Sequence, residues 1–284
     1  MSAPRVALET TLLVHGVPKD AALPLFQDLS IRIRSRGAEP ALCAVIDGAP
    51  RVDVSRDELE ALLAAGVPKL NTSNLGVALF QGGSGATTVS TTVELAARAG
   101  IAVFATGGLG GVHRGYGVEL DVSADLLALA RHPVAVVTAG VKSILDVVAT
   151  REALESLGVP VIGFRTDRFP AFLVRESAAS VDARFDDVER LGAFIRAELA
   201  RTGRGLVICN PIPEAHAVAE ATFEAWREEA DRAAREAGAS GRALTPAILG
   251  ALNRVSGGKS LAANLALVRH NATVAAELAV HAAR

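Results

Sequence analysis

Val103-Phe104-Ala105-Thr106-Gly107-Gly108-Leu109-Gly110-Gly111-Val112-His113-Arg114-Gly115 opens a stretch that ends in Pro133-Val134-Ala135-Val136-Val137-Thr138-Ala139-Gly140-Val141-Lys142-Ser143-Ile144-Leu145-Asp146. Two apolar, β-branched runs each end in a glycine turn, which is how buried strands of an α/β sheet read. Between them Asp121 and Asp125 stand four residues apart, and the second run leads a lysine towards the expected start of a helix. Acids, a histidine, an amine and pliant backbone are thereby placed at the ends of neighbouring strands, where open α/β sheets bind ligands.

Lys142 stands out by composition. The 284 residues contain four lysines against 25 arginines, so lysine is not this chain's general surface cation. Its neighbours Ala139, Gly140, Val141, Ile144 and Leu145 are apolar or small. Burial and a nearby helix N-terminus would both disfavour its charged form and yield a nucleophilic amine. The plainer alternative is a lysine that snorkels out of a buried turn.

Working outward, Val6 to Val14 reads as a strand interrupted by Glu9, Thr10 and Thr11, and a carboxylate inside such a run must be paired or used. Helices are expected over Ala21–Arg36, from Ser55 (a capping box with Glu58) to Ala65, through Arg98, from a start at Lys142 on past Asp146 to Leu157, over Val188–Ala200, to about Glu236, and over Pro246–Val255 and Leu261–Ala283. Gly238 to Gly241 is expected to break the long charged helix before it. Strands are expected over Ala41–Ile46, Val159–Phe164 and Leu206–Cys209. Gln81-Gly82-Gly83-Ser84-Gly85-Ala86-Thr87-Thr88-Val89 opens a helix, and with Ser84, Thr87 and Thr88 as donors it suits a phosphate; an ordinary flexible connection is the alternative. Gly258-Lys259-Ser260 looks like the end of a nucleotide P-loop, but Asn253 replaces the required glycine and a helix, not a strand, precedes it. His113 likewise takes the place of the third glycine of a dinucleotide fingerprint.

Alternation of strands and helices without a linker or repeat predicts one α/β domain over residues 1–284. Half of the residues are hydrophobic and only 4% aromatic, so the core is Ala, Val and Leu. A net charge of −2 gives no electrostatic footprint for nucleic acid or for an anionic membrane. Cys43 and Cys209 lie in apolar runs and read as buried thiols in a reducing compartment. No apolar run approaches the roughly 18 residues of a membrane span and no signal-peptide pattern is present, so a cytoplasmic protein is expected.

Several runs together resemble the pseudouridine-5′-phosphate glycosidases, the family of indigoidine synthase A-like proteins. They are Ala7-Leu8-Glu9-Thr10-Thr11, Gly107 to Gly115, Asp121-Val122-Ser123-Ala124-Asp125-Leu126, Ala139 to Asp146, Asn210-Pro211-Ile212-Pro213-Glu214 and Ser260 to Val268, and the likeness covers nearly the whole chain. The resemblance implies a three-layer α/β/α fold with a mixed central sheet, a homotrimer, a divalent metal such as Mn2+, and reversible cleavage of the carbon–carbon bond between ribose 5-phosphate and uracil. It implies Glu9 as proton donor, Lys142 as covalent nucleophile and Asp121 as metal ligand. Lys69, Val89, Ser123, Ala124 and Asp125 follow as substrate contacts, with Asn264 against the base; His113 is assigned here to phosphate or metal-bound water. One run departs from the family. Asn71-Thr72-Ser73-Asn74-Leu75 stands where a Ser-Arg-Arg-Asp-Leu run is expected, which opens the alternative of a C-glycosynthase joining ribose 5-phosphate to another aromatic acceptor. A non-catalytic sugar-phosphate sensor is disfavoured, because binding alone needs no nucleophile.

Overall fold

The computed structural model describes residues 3–142, 144–238 and 244–283. Strand β1 (Arg5–Glu9) passes straight into helix α1 (Thr10–His15) rather than continuing to Val14 as expected. The threonines explain the change. Thr10 Oγ1 donates to the Cys43 carbonyl and Thr11 Oγ1 to that of Ala86, so hydroxyls replace the ladder while the backbone coils. Helix α2 (Lys19–Arg34) then buries Ala22, Leu25, Leu29 and Ile33. Strands β2 (Glu39–Ile46) and β3 (Ala49–Arg51) form a hairpin whose turn, Asp47 and Gly48, has both φ angles positive, the two-residue geometry that matches strand twist. Helix α3 (Arg56–Ala65) carries the predicted capping box.

Strand β4 (Lys69–Leu70), α4 (Leu75–Phe80), β5 (Gly85–Thr87), α5 (Val89–Arg98) and β6 (Val103–Ala105) follow. Next come β7 (Val112–His113), α6 (Tyr116–Glu119), α7 (Ala124–Arg131), β8 (Ala135–Thr138), β9 (Leu145–Asp146) and α8 (Val147–Ser156). The rest are β10 (Val161–Phe164), β11 (Ala183–Phe185), α9 (Val188–Thr202), β12 (Leu206–Cys209), α10 (Glu220–Glu236), α11 (Leu244–Val255) and α12 (Lys259–Ala282). Gly238, at positive φ, follows the end of α10; the remainder of the expected break, 239–241, lies outside the described residues. Gly257 and Gly258, both left-handed, turn the chain between α11 and α12, so the Gly-Lys-Ser run is the start of a helix entered from another helix.

The described residues form a ten-stranded sheet in the order β11-β10-β12-β8-β6-β1-β2-β5-β4, with β3 beside β2. The seven strands from β11 to β2 are mutually parallel; β3 and β5 run antiparallel to β2, so the sheet is mixed. Right-handed crossovers then fix the layers. The step from β1 to β2 goes one way along the sheet. The steps through α5 to β6, α7 to β8 and α8 to β10 go the other way, and the step through α9 to β12 reverses again. Helices α2 and α9 therefore share one face, with α5, α7 and α8 on the other. Helix α12 packs against α2, α9, β1, β6 and β8, and α5 packs against α7, as this requires. The result is the expected three-layer arrangement.

The winding reverses between β1 and β6, so a crevice opens beyond their carboxyl ends. Glu9 is the last residue of β1, and Thr106 follows β6. Lys142 lies in the loop after β8, not at a helix start: the next helix begins at Val147, capped by Asp146. What holds this loop is a close approach at Gly140. Its φ is +87°, and a Cβ there would lie 1.8 Å from the Pro170 carbonyl oxygen. Gly140→Ala should therefore lower unfolding free energy in urea by about 2–4 kcal/mol, adding left-handed strain to a backbone clash; an unchanged midpoint would contradict this packing.

Candidate active site

Beyond the carboxyl ends of β1 and β6 lies a cavity of about 380 Å³. Its polar wall includes Glu9, Thr106, Lys69, Lys142, Asn253 and Asn264, and its apolar wall includes Leu12, Val17, Phe172, Leu173, Leu252 and Leu261. Four residues singled out in the sequence, Glu9, Lys69, Lys142 and Asn264, are thus brought together from four separate elements.

The Glu9 carboxyl is 6% exposed, and Thr106 Oγ1 donates to its Oε1 at 2.5 Å. Burial pushes its pKa up; the positive charge of Lys142, the Thr106 hydrogen bond and Lys69 pull it down without cancelling the burial, and Asp125 adds to the rise. Lys69 moves the opposite way. Burial drives its amine towards the neutral form, Lys142 adds to that, and Glu9 opposes it. His15, on the same wall, is also pushed down by burial and by Lys69. A low-dielectric cavity thus favours uncharged acid and uncharged amine in one place.

The glycine run Gly107 to Gly111 links this cavity to a second group of residues by close packing. A Cβ on Gly108 would meet the Phe172 ring and approach Lys142; one on Gly110 would strike Ser123 Oγ and Asp125 Oδ2; one on Gly111 would strike Thr150. Asp125 is buried and ties two segments, accepting from the backbone amides of Ser90 and Gly110. Ser123 caps α7 by accepting from the Asp125 amide, and Ala124 is the first residue of that helix. Val89, the first residue of α5, is buried. None of Val89, Ser123, Ala124 and Asp125 lines the cavity itself. His113 and Asp121 form a third, more open pair, with Nε2 and Oδ2 3.6 Å apart and the His113 amide donating to the Asp121 carbonyl. No cluster of three or more metal-ligating side chains occurs among the described residues.

The expected phosphate loop is put to other use. Ser84 Oγ accepts from the Asp47 amide and Thr87 Oγ1 donates to the Cys43 carbonyl, so these hydroxyls stitch the antiparallel end of the sheet. In the Asn71–Asn74 run, Asn74 Oδ1 accepts from the Asn71 amide and its Nδ2 donates to the Lys69 carbonyl; these side chains fold onto their own loop and do not line the cavity. Cys43 and Cys209 are buried free thiols, and burial raises the Cys43 thiol to about 12.

A family model of indigoidine synthase A-like proteins matches residues 1–281. The chain belongs to the indigoidine synthase A-like family. Relatives named pseudouridine-5′-phosphate glycosidase include one from Streptomyces griseus, 47% identical over 99% of this chain and 88% of its own length, and one from Methylobacterium nodulans, 46% identical over 98% and 83%. Among solved structures, an indigoidine synthase A-like protein from Thermotoga maritima superposes with a TM-score of 0.92 at 36% identity, covering 99% of this chain and 94% of that one. The prealnumycin C-glycosynthase AlnA, in complex with ribulose 5-phosphate, superposes at 0.91 with 38% identity, covering 98% and 91%.

Of the amides in and behind the cavity wall, the sequence singled out Asn264 alone; Asn253 in the wall and Asn271 behind it were missed. Asn271, fully buried, donates to the Thr106 carbonyl and accepts from Asn210 Nδ2, so a chain of amides runs from β12 through α12 to the residue that holds Glu9. A signal existed: Asn264 and Asn271 stand seven apart, on one face of a helix otherwise lined by Ala263, Leu267, Val268 and Ala272. Asn253, from α11, carried no such mark.

Proposed function

We propose that this protein is a C-glycosidase that reversibly splits pseudouridine 5′-phosphate into uracil and ribose 5-phosphate. The observation that carries the reading is the joining of Glu9 and Lys142 in one cavity at the point where the winding of the sheet reverses. A carbon leaving group departs poorly, so protonating an exocyclic oxygen, as ordinary glycosidases do, does not serve. Glu9 delivers its proton to the ribose ring oxygen as the C1′–O bond breaks, and Lys142 Nζ bonds to C1′. The added nitrogen gives up a proton to the Glu9 carboxylate, which restores its lone pair; that pair then forms C1′=N as the C1′–C5 bond breaks, and the electrons pass to the base, which takes the proton at C5. Water hydrolyses the imine to ribose 5-phosphate and the free amine. Lys69 contacts the substrate from the cavity wall, while Ser123 and Asp125, outside the lining, act behind it by packing against Gly110.

In borohydride trapping with ribose 5-phosphate, the adduct should be found by peptide mass spectrometry on Lys142, and Glu9→Gln should slow turnover about 10²–10⁴-fold. An adduct on Lys69 alone, or none, would overturn the assignment.

A divalent cation, Mn2+ in our reading, would be held by the half-exposed Asp121 carboxylate with His113 beside it, water and substrate oxygens completing a hard-ligand shell. Bound there it would supply positive charge for substrate oxygens. Mn2+ binding followed by electron paramagnetic resonance should weaken in Asp121→Asn; unchanged affinity would remove Asp121 from the site.

The apolar wall of the cavity and the likeness to a C-glycosynthase favour a second reading, synthesis onto another aromatic acceptor. Comparing uracil with a bulkier aromatic in the trapping reaction separates the two.

A further inference from the structure

Among the described residues, two buried side-chain polar atoms have no hydrogen-bond partner: Oδ1 of Asn253 and Oδ1 of Asn264. Both residues belong to the lining of the cavity that holds Glu9 and Lys142. They come from different helices, α11 and α12, so one local distortion does not account for the pair. A buried carbonyl oxygen with nothing to accept is a costly arrangement, and folded chains keep it where a ligand supplies the donor. Because an amide carries its two donors on the neighbouring nitrogen, each asparagine can answer a ligand N–H and the carbonyl beside it.

We propose that Asn253 is a specificity-determining residue for the acceptor ring: its Oδ1 accepts a hydrogen bond from one ring N–H while Asn264 takes another. The ligand class this fits is a cyclic imide or ureide with two N–H donors. Uracil joined through carbon keeps both of its ring N–H groups, whereas uracil joined through nitrogen keeps one. Two acceptor oxygens thus select the carbon-linked base, and they favour a pyrimidinedione over an aromatic acceptor without such an edge. The inference rests on the C-glycosidase reading and deepens it.

The test uses the full chain with ribose 5-phosphate and three acceptors, uracil, 1-methyluracil and 3-methyluracil, each methyl group removing one donor. Asn253→Leu keeps the side-chain volume and loses the acceptor; Asn253→Ala is the second variant should the first not fold, and trapping of the Lys142 adduct serves as the folding control. The unmodified protein should prefer uracil to both methylated bases. The variant should lose roughly ten- to a hundredfold in kcat/KM on uracil, chiefly through KM, and show no further loss on one of the two methylated bases. Equal loss on all three acceptors, no loss on uracil, or a trapped adduct in a protein that joins no uracil would each overturn the role of Asn253. Failure of the unmodified protein to form the Lys142 adduct would instead overturn the C-glycosidase reading.

Discussion

Glu9 ends the central strand of the sheet with its carboxyl almost wholly buried, and most of what surrounds it answers the cost of that placement. An ionised carboxylate there would lose its water, so burial favours the protonated form. Thr106 supplies one hydrogen bond and Lys142 a positive field, yet among the described residues no ion pair within 4 Å joins Glu9 to either cavity lysine. That separation leaves the acid and the amines facing a shared space. Burial thus raises the Glu9 carboxyl and lowers the Lys69 amine without a contact pair between them.

Keeping such a space inside a packed protein requires the walls to be fixed independently of the ligand. Gly108, Gly110 and Gly111 let the β6 loop pass within contact of Phe172, Ser123, Asp125 and Thr150, where a Cβ would clash. Gly140 does the same for the Lys142 loop against Pro170. The amide chain Asn210–Asn271 pins the Thr106 backbone, and Asp125 ties the Ser90 and Gly110 amides. Each is a buried polar group with its partners in place, in contrast with Oδ1 of Asn253 and of Asn264, which have none among the described residues.

Much of this was legible in the sequence where local chemistry decides it. The capping box at Ser55 and the buried strands within the two apolar runs that open at Val103 and Pro133 follow from residue pattern alone. Glu9 in an apolar run was already a carboxylate with a task. What was not legible depends on long-range partners. Strand β1 stops early because Thr10 and Thr11 find carbonyls 33 and 75 residues away. Lys142 was expected at a helix start, yet the helix waits for Asp146. The Ser84 and Thr87 hydroxyls looked available for phosphate until the antiparallel pairing of β2 with β5 claimed them. Asn253 is ordinary in sequence and distinct only by what it fails to touch.

Burial in this fold shifts the Glu9 carboxyl towards its protonated form. Its folded pKa is raised above the ordinary value of 4.5, so below that value folded and unfolded chains both carry the proton. As pH rises past it the unfolded chain releases the proton first, ν_U falls below ν_N, and this group's contribution to stability declines up to the folded pKa. Urea unfolding of the protein and of Glu9→Gln across pH 4 to 8 tests this directly. The account predicts a stability difference that is constant in acid and grows in favour of the glutamine variant towards neutral pH. A difference that is flat, or that grows in favour of glutamate, would mean that Glu9 is an ordinary paired carboxylate, and would contradict it.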